Sequence, residues 1–262
     1  MTVVDQGCPE KVGVVHVLDV PVQAHTMDTI MRRIEELIET PGCSTAYAVN
    51  AHSLNLACGH PCYWRCLQTA DLVYADGASI QLAARVLRQR IPQRLTTTDL
   101  YPPLCDLAVR RGYRFFLLGG EQGLADRARA ASVARHPGLR IVGVHHGYFA
   151  FDDESVVARI NAAQADVLWV GMGDPRQVLW AESVRARLHA RLIITCGGMF
   201  KIVTGDLARS PEIWRRWGFE WVGRLIHEPG ATWRRYLLGL PAFGFRIAAQ
   251  LLMRARESPG AR

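Results

Sequence analysis

One pattern recurs through the middle of this chain and limits the folds it can adopt: an apolar run, a glycine-containing turn, and then helical spacing. The runs are Tyr113–Leu118, Asp166–Val170 and Leu192–Thr195, followed by Gly119-Gly120, Gly171-Met172-Gly173 and Cys196-Gly197-Gly198. Strands that alternate with helices favour a parallel sheet, because parallel neighbours need a crossover connection. We therefore predict an α/β fold, a Rossmann-like doubly wound sheet that is mainly parallel.

The rest of the chain extends this pattern. Strands are predicted at Val14–Val20, Thr45–Asn50, Leu72–Ala75 and Leu139–Val144, and helices at Met27–Ile38, Ser79–Arg90 and Leu100–Arg111. Thr98 or Asp99 is expected to cap the last of these helices. Pro102 and Pro103 are expected in its first turn, where backbone amides have no helical partner.

Asp76 and Gly77 follow directly after the apolar run Leu72–Ala75. In open α/β sheets, ligands gather outside the carboxyl ends of the strands, so a carboxylate there is a candidate for chemistry. The alternative is that Asp76 caps the next helix while Gly77 permits the turn, which is a common use of Asp-Gly pairs. Asn50 ends the preceding strand in a similar position.

Basic residues are concentrated at the C-terminal end. The net charge is +7, and residues 209–262 contribute +6 of it through ten Arg and four Glu. We predict a Rossmann-like core over residues 1–205 and a basic, helical, Arg-rich appendage over residues 206–262. A local arginine excess suits an anionic membrane surface or a diphosphate. Nucleic acid ranks last as a partner, because no known nucleic-acid-binding motif accompanies the arginines.

Within the appendage, Thr232–Met253 is a basic amphipathic segment interrupted by Pro241. Two interpretations carry equal weight: an interfacial helix on a membrane and an ordinary helix packed on the domain. The longest charge-free stretch, Tyr236–Phe245, is about half of the ~20 residues that a spanning helix needs. Residues 1–11 lack the basic and apolar regions of a secretory signal. We therefore expect a protein that is soluble or rests on a membrane.

The seven cysteines are scattered and include no Cys-x-x-Cys pair, which indicates a reducing compartment. Cys58, Cys62 and Cys66 recur every four residues near His52 and His60, a spacing that invites a metal site. Small buried thiols are the commoner use of cysteine. No metal is assigned, and no cofactor is predicted.

Taken in order, these turns resemble the WecG/TagA/CpsF family of bacterial glycosyltransferases, family 26 in the sugar-transferase classification. The resemblance covers roughly residues 45–236. The matching stretches are Ala70–Gly77, Arg94–Leu100, Phe116–Gly120, His136–Leu139, Gly147–Phe149, Val170–Gln177, Arg209–Pro211, Gly218–Trp221, Arg224-Leu225, Glu228-Pro229 and Arg235-Tyr236.

The resemblance implies an inverting, metal-independent transfer of an N-acetylmannosamine-like or related sugar. The donor would be a UDP-sugar and the acceptor a sugar on polyprenyl diphosphate, in cell-surface polysaccharide synthesis at the cytoplasmic face of the membrane. Asp76 corresponds to the proposed catalytic base. The resemblance also implies substrate-binding roles for Asn50, Gly77, Thr98, Asp99, Gly119, Gly120, Gly171, Gly173, Pro175, Gln177, Gly197, Gly198, Arg209, Arg224 and Arg235. The oligomeric state stays open, homo-oligomers included.

Five positions depart from the family pattern. They are Ala48 and Thr97, where Thr and Gly are usual, Val178 and Lys201, where Glu and Asp are usual, and Gly230 or Ala231, where an arginine is usual. These departures motivate an alternative, a weakened or inactive family member that binds or scaffolds in polysaccharide assembly. A third hypothesis, a Rossmann oxidoreductase, draws on Gly119-Gly120-x-x-Gly123. It ranks low, because no acidic residue lies about 20 positions further on to hold a ribose.

Overall fold

A computed structural model describes residues 12–211, 213, 214, 217, 220–227 and 229–257. Its strands are β1 Val14–Val17, β2 Val20–Gln23, β3 Ser44–Val49, β4 Leu72–Ala75, β5 Arg114–Gly119, β6 Arg140–His145, β7 Val167–Gly171 and β8 Leu192–Thr195. They form one eight-stranded sheet in the order β1-β2-β4-β3-β8-β7-β5-β6. β1 and β2 pair antiparallel, and the other neighbours pair parallel. The predicted fold class is confirmed.

Helices connect the strands and cover the sheet. They are α1 Met27–Glu39, α2 Ala51–Gly59, α3 Pro61–Thr69, α4 Ala78–Val86, α5 Thr97–Arg111, α6 Leu124–Arg135, α7 Glu154–Ala162, α8 Arg176–Val184, α9 Met199–Thr204, α10 Glu220–His227, α11 Pro229–Trp233 and α12 Gly239–Glu257. A short 3-10 helix, Arg185–Arg187, follows α8, and a π-helical turn, Arg234–Leu238, joins α11 to α12.

The sheet is buried on both faces. Successive side chains of β5 alternate between two cores: Phe115 packs in one with Trp169, and Phe116 packs in the other with Trp180. Burial on both faces explains why the inner strands read as continuous apolar runs rather than alternating ones. The two halves of the chain meet where β3 pairs with β8, at Ala46 and Ile194. Ligand sites of doubly wound sheets lie at such a junction.

The N-terminal strand prediction was wrong in one respect. Val14–Val20 is not a single strand, because Leu18 and Asp19 adopt φ angles of 49° and 61° and reverse the chain. Positive φ at both turn residues matches the twist of a two-residue hairpin. β1 and β2 therefore form an antiparallel hairpin at the edge of the sheet.

Two helix boundaries also differ from the prediction. α4 ends at Val86, before the predicted Arg90. α5 begins at Thr97 and not Leu100, because the Thr96 hydroxyl accepts a hydrogen bond from the Asp99 amide at 3.1 Å and caps the helix. Pro102 therefore lies beyond the first turn of α5, where a proline removes an amide from the helical ladder.

The C-terminal segment is helical and packs on the domain along one face. Pro229 is the first residue of α11, a position that proline tolerates. Asn55 of α2 joins α12, because its side-chain amide donates to the Gly239 carbonyl at 2.7 Å and its Oδ1 accepts from Arg246 at 2.5 Å. Phe243 and Ile247 of α12 are buried.

The opposite face of this segment is apolar and exposed. The exposed side chains include Leu237, Leu238, Phe245, Leu252 and Met253. By length and composition, Arg234–Arg256 could cross a membrane, with a mean hydropathy of 1.4. The expectation that no stretch is long enough to span a membrane is therefore not upheld. Length and composition do not by themselves establish a spanning helix. The segment packs on the domain along one face, and its contact with a membrane remains a prediction.

Candidate functional site

The first cavity lies at the carboxyl ends of the central strands. Its volume is about 300 Å³. The predicted site residues that line this cavity are Asn50, Asp76, Gly77, Thr98, Gly173, Gln177, Gly197, Gly198 and Arg235. Other lining residues include Ala48, His52, Arg94, Thr97, Asp174, Trp221 and Tyr236. Strand ends and turns from both halves of the chain thus converge on one space.

Asp76 is half-buried at the end of β4, and its side chain points away from the helix that follows it. Its Oδ1 accepts a hydrogen bond from the Thr97 amide at 3.2 Å, at the start of α5. The N-cap of α4 is Gly77, at φ 96°, and no side chain caps that helix. The capping alternative for Asp76 is therefore not what this fold shows. The carboxylate lies at the amino end of α5, where the helix dipole favours negative charge.

Asn50 combines a structural contact with a place in the cavity wall. Its Oδ1 accepts from the amides of His52 at 3.0 Å and Ser53 at 3.2 Å, which caps α2. The Ser53 hydroxyl accepts in return from the Asn50 amide at 2.7 Å. This reciprocal capping box fixes the side chain of Asn50 beside the cavity.

Asp174 and Gln177 connect two of the glycine turns. The Gln177 side-chain amide donates to Asp174 Oδ1 at 2.9 Å, and Gln177 Oε1 accepts from the Gly197 amide at 3.1 Å. Burial raises the pKa of Asp174 to about 6, against the opposing effects of Gln177, Arg235 and a neighbouring tyrosine, while the charge of Asp76 raises it further. A carboxyl with such a pKa titrates near neutral pH.

His52 and Arg235 face each other across the same cavity. Burial, followed by the nearby Arg235 charge, lowers the pKa of His52 to about 4. His52 is therefore neutral at neutral pH. The Arg235 guanidinium lies 5.5 Å from the ring centroid of Tyr236. A cation is thus held in the cavity wall by aromatic contact.

The second cavity adjoins the first and has a volume of about 750 Å³. Its wall includes Gly120, Leu124, Tyr148, Phe149, Gly171, Met172, Arg176, Phe200 and Lys201. Gly173, Gly197 and Gly198 line both cavities. Gly173 and Gly197 have φ angles of 75° and 50°, and a Cβ on either would meet no atom within 4 Å. These shared glycines leave open backbone between the two spaces.

Five predicted site residues either lie outside both cavity walls or have a side chain outside the described part of the chain. A Cβ on Gly119 would lie 2.3 Å from the Gly171 carbonyl oxygen, so glycine there permits close strand packing. Pro175 is the N-cap of α8 and follows a cis peptide bond. Arg209 and Asp99 are treated together below. Arg224 belongs to α10, but its side chain lies outside the described residues.

Asp99 joins the core to the start of the predicted appendage. It accepts a hydrogen bond from the Thr96 hydroxyl at 2.8 Å and another from Arg209. Arg94, which lines the first cavity, lies 3.5 Å from the same carboxylate. Asp99 therefore lies outside the cavity wall but forms an ion pair with an arginine that lines it.

The positions that depart from the family pattern fall in different surroundings. Ala48 lines the first cavity, and Lys201 lines the second. Thr97 supplies the amide that contacts Asp76, and its hydroxyl bonds the Tyr74 hydroxyl at 2.8 Å. Val178 is buried in the core, and Gly230 is exposed on the surface. Three of these positions, Ala48, Thr97 and Lys201, therefore line a cavity, whereas Val178 and Gly230 do not.

Sequence reasoning did not single out Asp174, His52 or Trp221 as site residues, although all three line the first cavity. Asp174 stands inside the glycine motif Gly171–Gln177, and His52 follows Asn50 closely, so the sequence places both next to predicted site residues.

Among the described residues, no group of three or more His, Cys, Asp or Glu could hold a metal ion. Cys58 and Cys62 are exposed.

Comparison with known proteins gives one consistent result. A family model described as the glycosyl transferase WecG/TagA/CpsF family matches residues 15–257. Similar curated proteins include the N-acetylglucosaminyldiphosphoundecaprenol N-acetyl-beta-D-mannosaminyltransferases of Staphylococcus aureus strains MRSA252 and MW2. Each is 27% identical over 252 residues, which cover 95% of this chain and 96% of the relative. The chain belongs to the WecG/TagA/CpsF family of glycosyl transferases.

Proposed function

We propose that this chain transfers a sugar, with inversion and without a metal ion, from a UDP-sugar to a sugar carried by polyprenyl diphosphate. The single observation that carries the proposal is the convergence of Asp76, Gln177 and Arg235 on one cavity at the carboxyl ends of the strands. The names of the relatives describe the transfer of an N-acetyl-beta-D-mannosaminyl group onto N-acetylglucosaminyldiphosphoundecaprenol. An N-acetylmannosamine-like sugar is therefore the first donor to test.

Asp76 acts as the general base. Its carboxylate takes the proton of the acceptor hydroxyl while that oxygen bonds to the anomeric carbon. The bond between the anomeric carbon and the diphosphate oxygen breaks, and the nucleoside diphosphate leaves with the electron pair. The Thr97 amide, 3.2 Å from Oδ1, holds the carboxylate in place for this transfer. A positioned base of this kind contributes about 10²–10⁴-fold to rate.

The donor spans both cavities. Its diphosphate lies over the shared residues Gly173, Gly197 and Gly198, where open backbone lets an anion approach closely. Its sugar extends toward Asp76 in the first cavity, and its nucleoside occupies the second, beside Tyr148, which is 76% exposed. This arrangement puts the reacting bond at the junction of the two spaces.

Arginines stabilise the leaving diphosphate. Arg235 and Arg94 line the first cavity, and Arg176 lines the second, so guanidinium groups flank the shared glycines on both sides. Fixed cations at a site of developing negative charge lower the barrier without reorganisation. The sequence has no Asp-x-Asp motif for a metal-bound diphosphate. These residues support transfer without a metal.

The enzyme works at the cytoplasmic face of the membrane, and the C-terminal segment contacts that surface. The support is the exposed apolar face of α12, with Phe245 at 78% and Leu252 at 65% exposure, next to a segment rich in arginine. Apolar insertion combined with cationic contact is how interfacial helices bind anionic lipid. A polyprenyl-linked acceptor would reach the first cavity from this surface.

A donor-panel assay tests the proposal. The full chain is incubated with several UDP-sugars and a polyprenyl-diphosphate-linked N-acetylglucosamine, and release of UDP is measured with and without a chelator. We expect turnover with one donor, unchanged by chelation. In calorimetry, no binding of any donor would support the inactive, scaffolding alternative instead, and tight binding of one donor would remove that alternative.

A further inference from the structure

Asp174 is the second carboxylate of the first cavity, and nothing in the base mechanism requires it. It follows Gly173 in the turn after β7, at the boundary between the two cavities, and lines the same wall as Asp76. Two carboxylates that share one small cavity repel each other when both are ionised. The electrostatic repulsion between Asp174 and Asp76 therefore indicates that the Asp174 carboxylate has a function.

Asp174 is half-buried, and its side-chain hydrogen bond with Gln177 uses only part of the hydrogen-bonding capacity of the carboxylate. One oxygen, Oδ1, accepts from the Gln177 side chain. Within the described part of the chain, no arginine or lysine forms an ion pair with it. The Tyr63 hydroxyl lies buried beside it and makes no hydrogen bond of standard geometry with the described residues. A partly desolvated carboxylate that forms no direct ion pair is costly unless a ligand supplies the missing contacts.

We propose that Asp174 is a substrate-binding residue whose carboxylate accepts a hydrogen bond from a hydroxyl or amide N–H of the donor sugar. This inference rests on the proposed function. Its basis is position: Asp174 directly follows Gly173, which lines both cavities, and it lines the first cavity together with Asp76. A sugar linked to a diphosphate over Gly173 would enter the first cavity beside Asp174. A charge-assisted bond of this kind is stronger than a neutral one and selects for the sugar group that donates it.

The proposal has a pH dependence with a definite sign. The pKa of Asp174 is about 6, and the charged and titratable groups that face it are Arg235, Tyr63 and Asp76. Below that pH the carboxyl is protonated and accepts less well, so affinity for the sugar falls as the pH drops through 6. His52, with a pKa of about 4, stays neutral over this range and adds nothing to the change.

The experiment compares UDP with a UDP-sugar by calorimetry between pH 5 and 8. The proteins are the full parent chain, Asp174→Asn, and the control Asp152→Asn, which changes an exposed aspartate outside both cavity walls. Asp174→Asn should leave the Kd of UDP unchanged, raise that of the UDP-sugar about tenfold at pH 8, and abolish its pH dependence. Asp152→Asn should match the parent.

Tyr63→Phe provides a second variant if Asp174→Asn does not fold. The Tyr63 hydroxyl lowers the pKa of Asp174, so its removal should move the midpoint of UDP-sugar binding to higher pH. Unchanged UDP-sugar affinity and an unchanged pH midpoint in either variant would overturn the role of Asp174. If the parent binds neither UDP nor any UDP-sugar, the proposed function itself fails, and this inference fails with it.

Discussion

Strand β4 is flanked by an aspartate at each end, and the two side chains have different surroundings. Asp71, at the amino end, accepts hydrogen bonds from the Thr45 amide at 2.9 Å and from Arg185 at 2.6 Å. Asp76, at the carboxyl end, lines the first cavity and accepts from one described backbone amide, that of Thr97. One is tied into the fold, while the other faces open space.

Strand β7 repeats the arrangement. Asp166, at its amino end, accepts from the Arg114 amide at 2.8 Å and from the Arg114 guanidinium at 3.0 and 3.2 Å. Asp174, beyond its carboxyl end, lines the cavity and contacts the neutral Gln177. In both strands, direction along the sheet separates a paired carboxylate from a cavity carboxylate. Chain direction makes that distinction, because Asp71 and Asp166 precede their strands whereas Asp76 and Asp174 follow them.

Asp76→Asn gives the largest expected effect at the cavity end. We expect kcat to fall by about 10²–10⁴-fold, because the amide cannot accept the acceptor proton, with little change in Tm. The measurement is UDP release under saturating donor and acceptor. Asp71→Asn is the matched control at the other end of β4. Asp71→Asn should lower Tm through the lost Arg185 contact and leave kcat of the folded protein near the parent value. A fall in kcat for Asp71→Asn, or a fall in Tm without loss of kcat for Asp76→Asn, would contradict the assignment of the two ends of β4.

Much of the sheet could be predicted from the sequence, because buried strands leave long apolar runs. Leu72–Ala75 and Leu192–Thr195 coincide with β4 and β8. The chain direction then follows from the alternation with helices, and it places Asp76 at a strand end. The same reasoning missed the Leu18-Asp19 hairpin, because an apolar run does not report a two-residue turn with positive φ.

The walls of the site were harder to predict, because they depend on contacts between distant segments. The start of α5 at Thr97 depends on the Thr96 cap and the Asp76 contact across the cavity, whereas the sequence pointed to Leu100. The division of the glycine turns between two cavities depends on sheet geometry that no spacing records. Asp174 lies within the matching stretch Val170–Gln177, but only its shared cavity with Asp76 makes it a candidate for binding.

Asp166→Asn tests the amino-end carboxylates through stability. Burial opposes ionisation of Asp166, but the hydrogen bonds and charge of Arg114 outweigh it and hold its pKa below the usual range. A lowered folded-state pKa stabilises the fold above the unfolded pKa of about 4, and this stability is lost as the pH falls through the folded value. The variant should unfold about 1–3 kcal/mol more easily at pH 7.

The pH dependence of unfolding provides a sharper test of the pairing between Asp166 and Arg114. Denaturant unfolding at pH 7 and again near pH 3 should show that the difference between parent and variant shrinks at the lower pH. Donor turnover by the folded variant should stay near that of the parent. A difference in unfolding free energy that does not depend on pH would show that the Arg114 pairing does not set the pKa of Asp166.

Two phenylalanines extend the comparison to α12, where one residue type again has two surroundings. Phe243 is 5% exposed and packs in the core, whereas Phe245, two residues on, is 78% exposed. Phe245→Ala should weaken binding to phosphatidylglycerol vesicles by about tenfold and leave Tm unchanged, because the ring contributes apolar area only to the lipid. Sedimentation with vesicles at fixed salt measures this affinity.

Phe243→Ala is the control for that result. It should lower the free energy of unfolding by roughly 3–5 kcal/mol, as for a buried aromatic, and change vesicle binding by the folded protein little. Equal vesicle binding by Phe245→Ala and the parent would mean that the exposed face of α12 does not enter lipid. Its apolar side chains would then need another occupant, such as a second copy of the chain, which a concentration-dependent change in sedimentation would reveal.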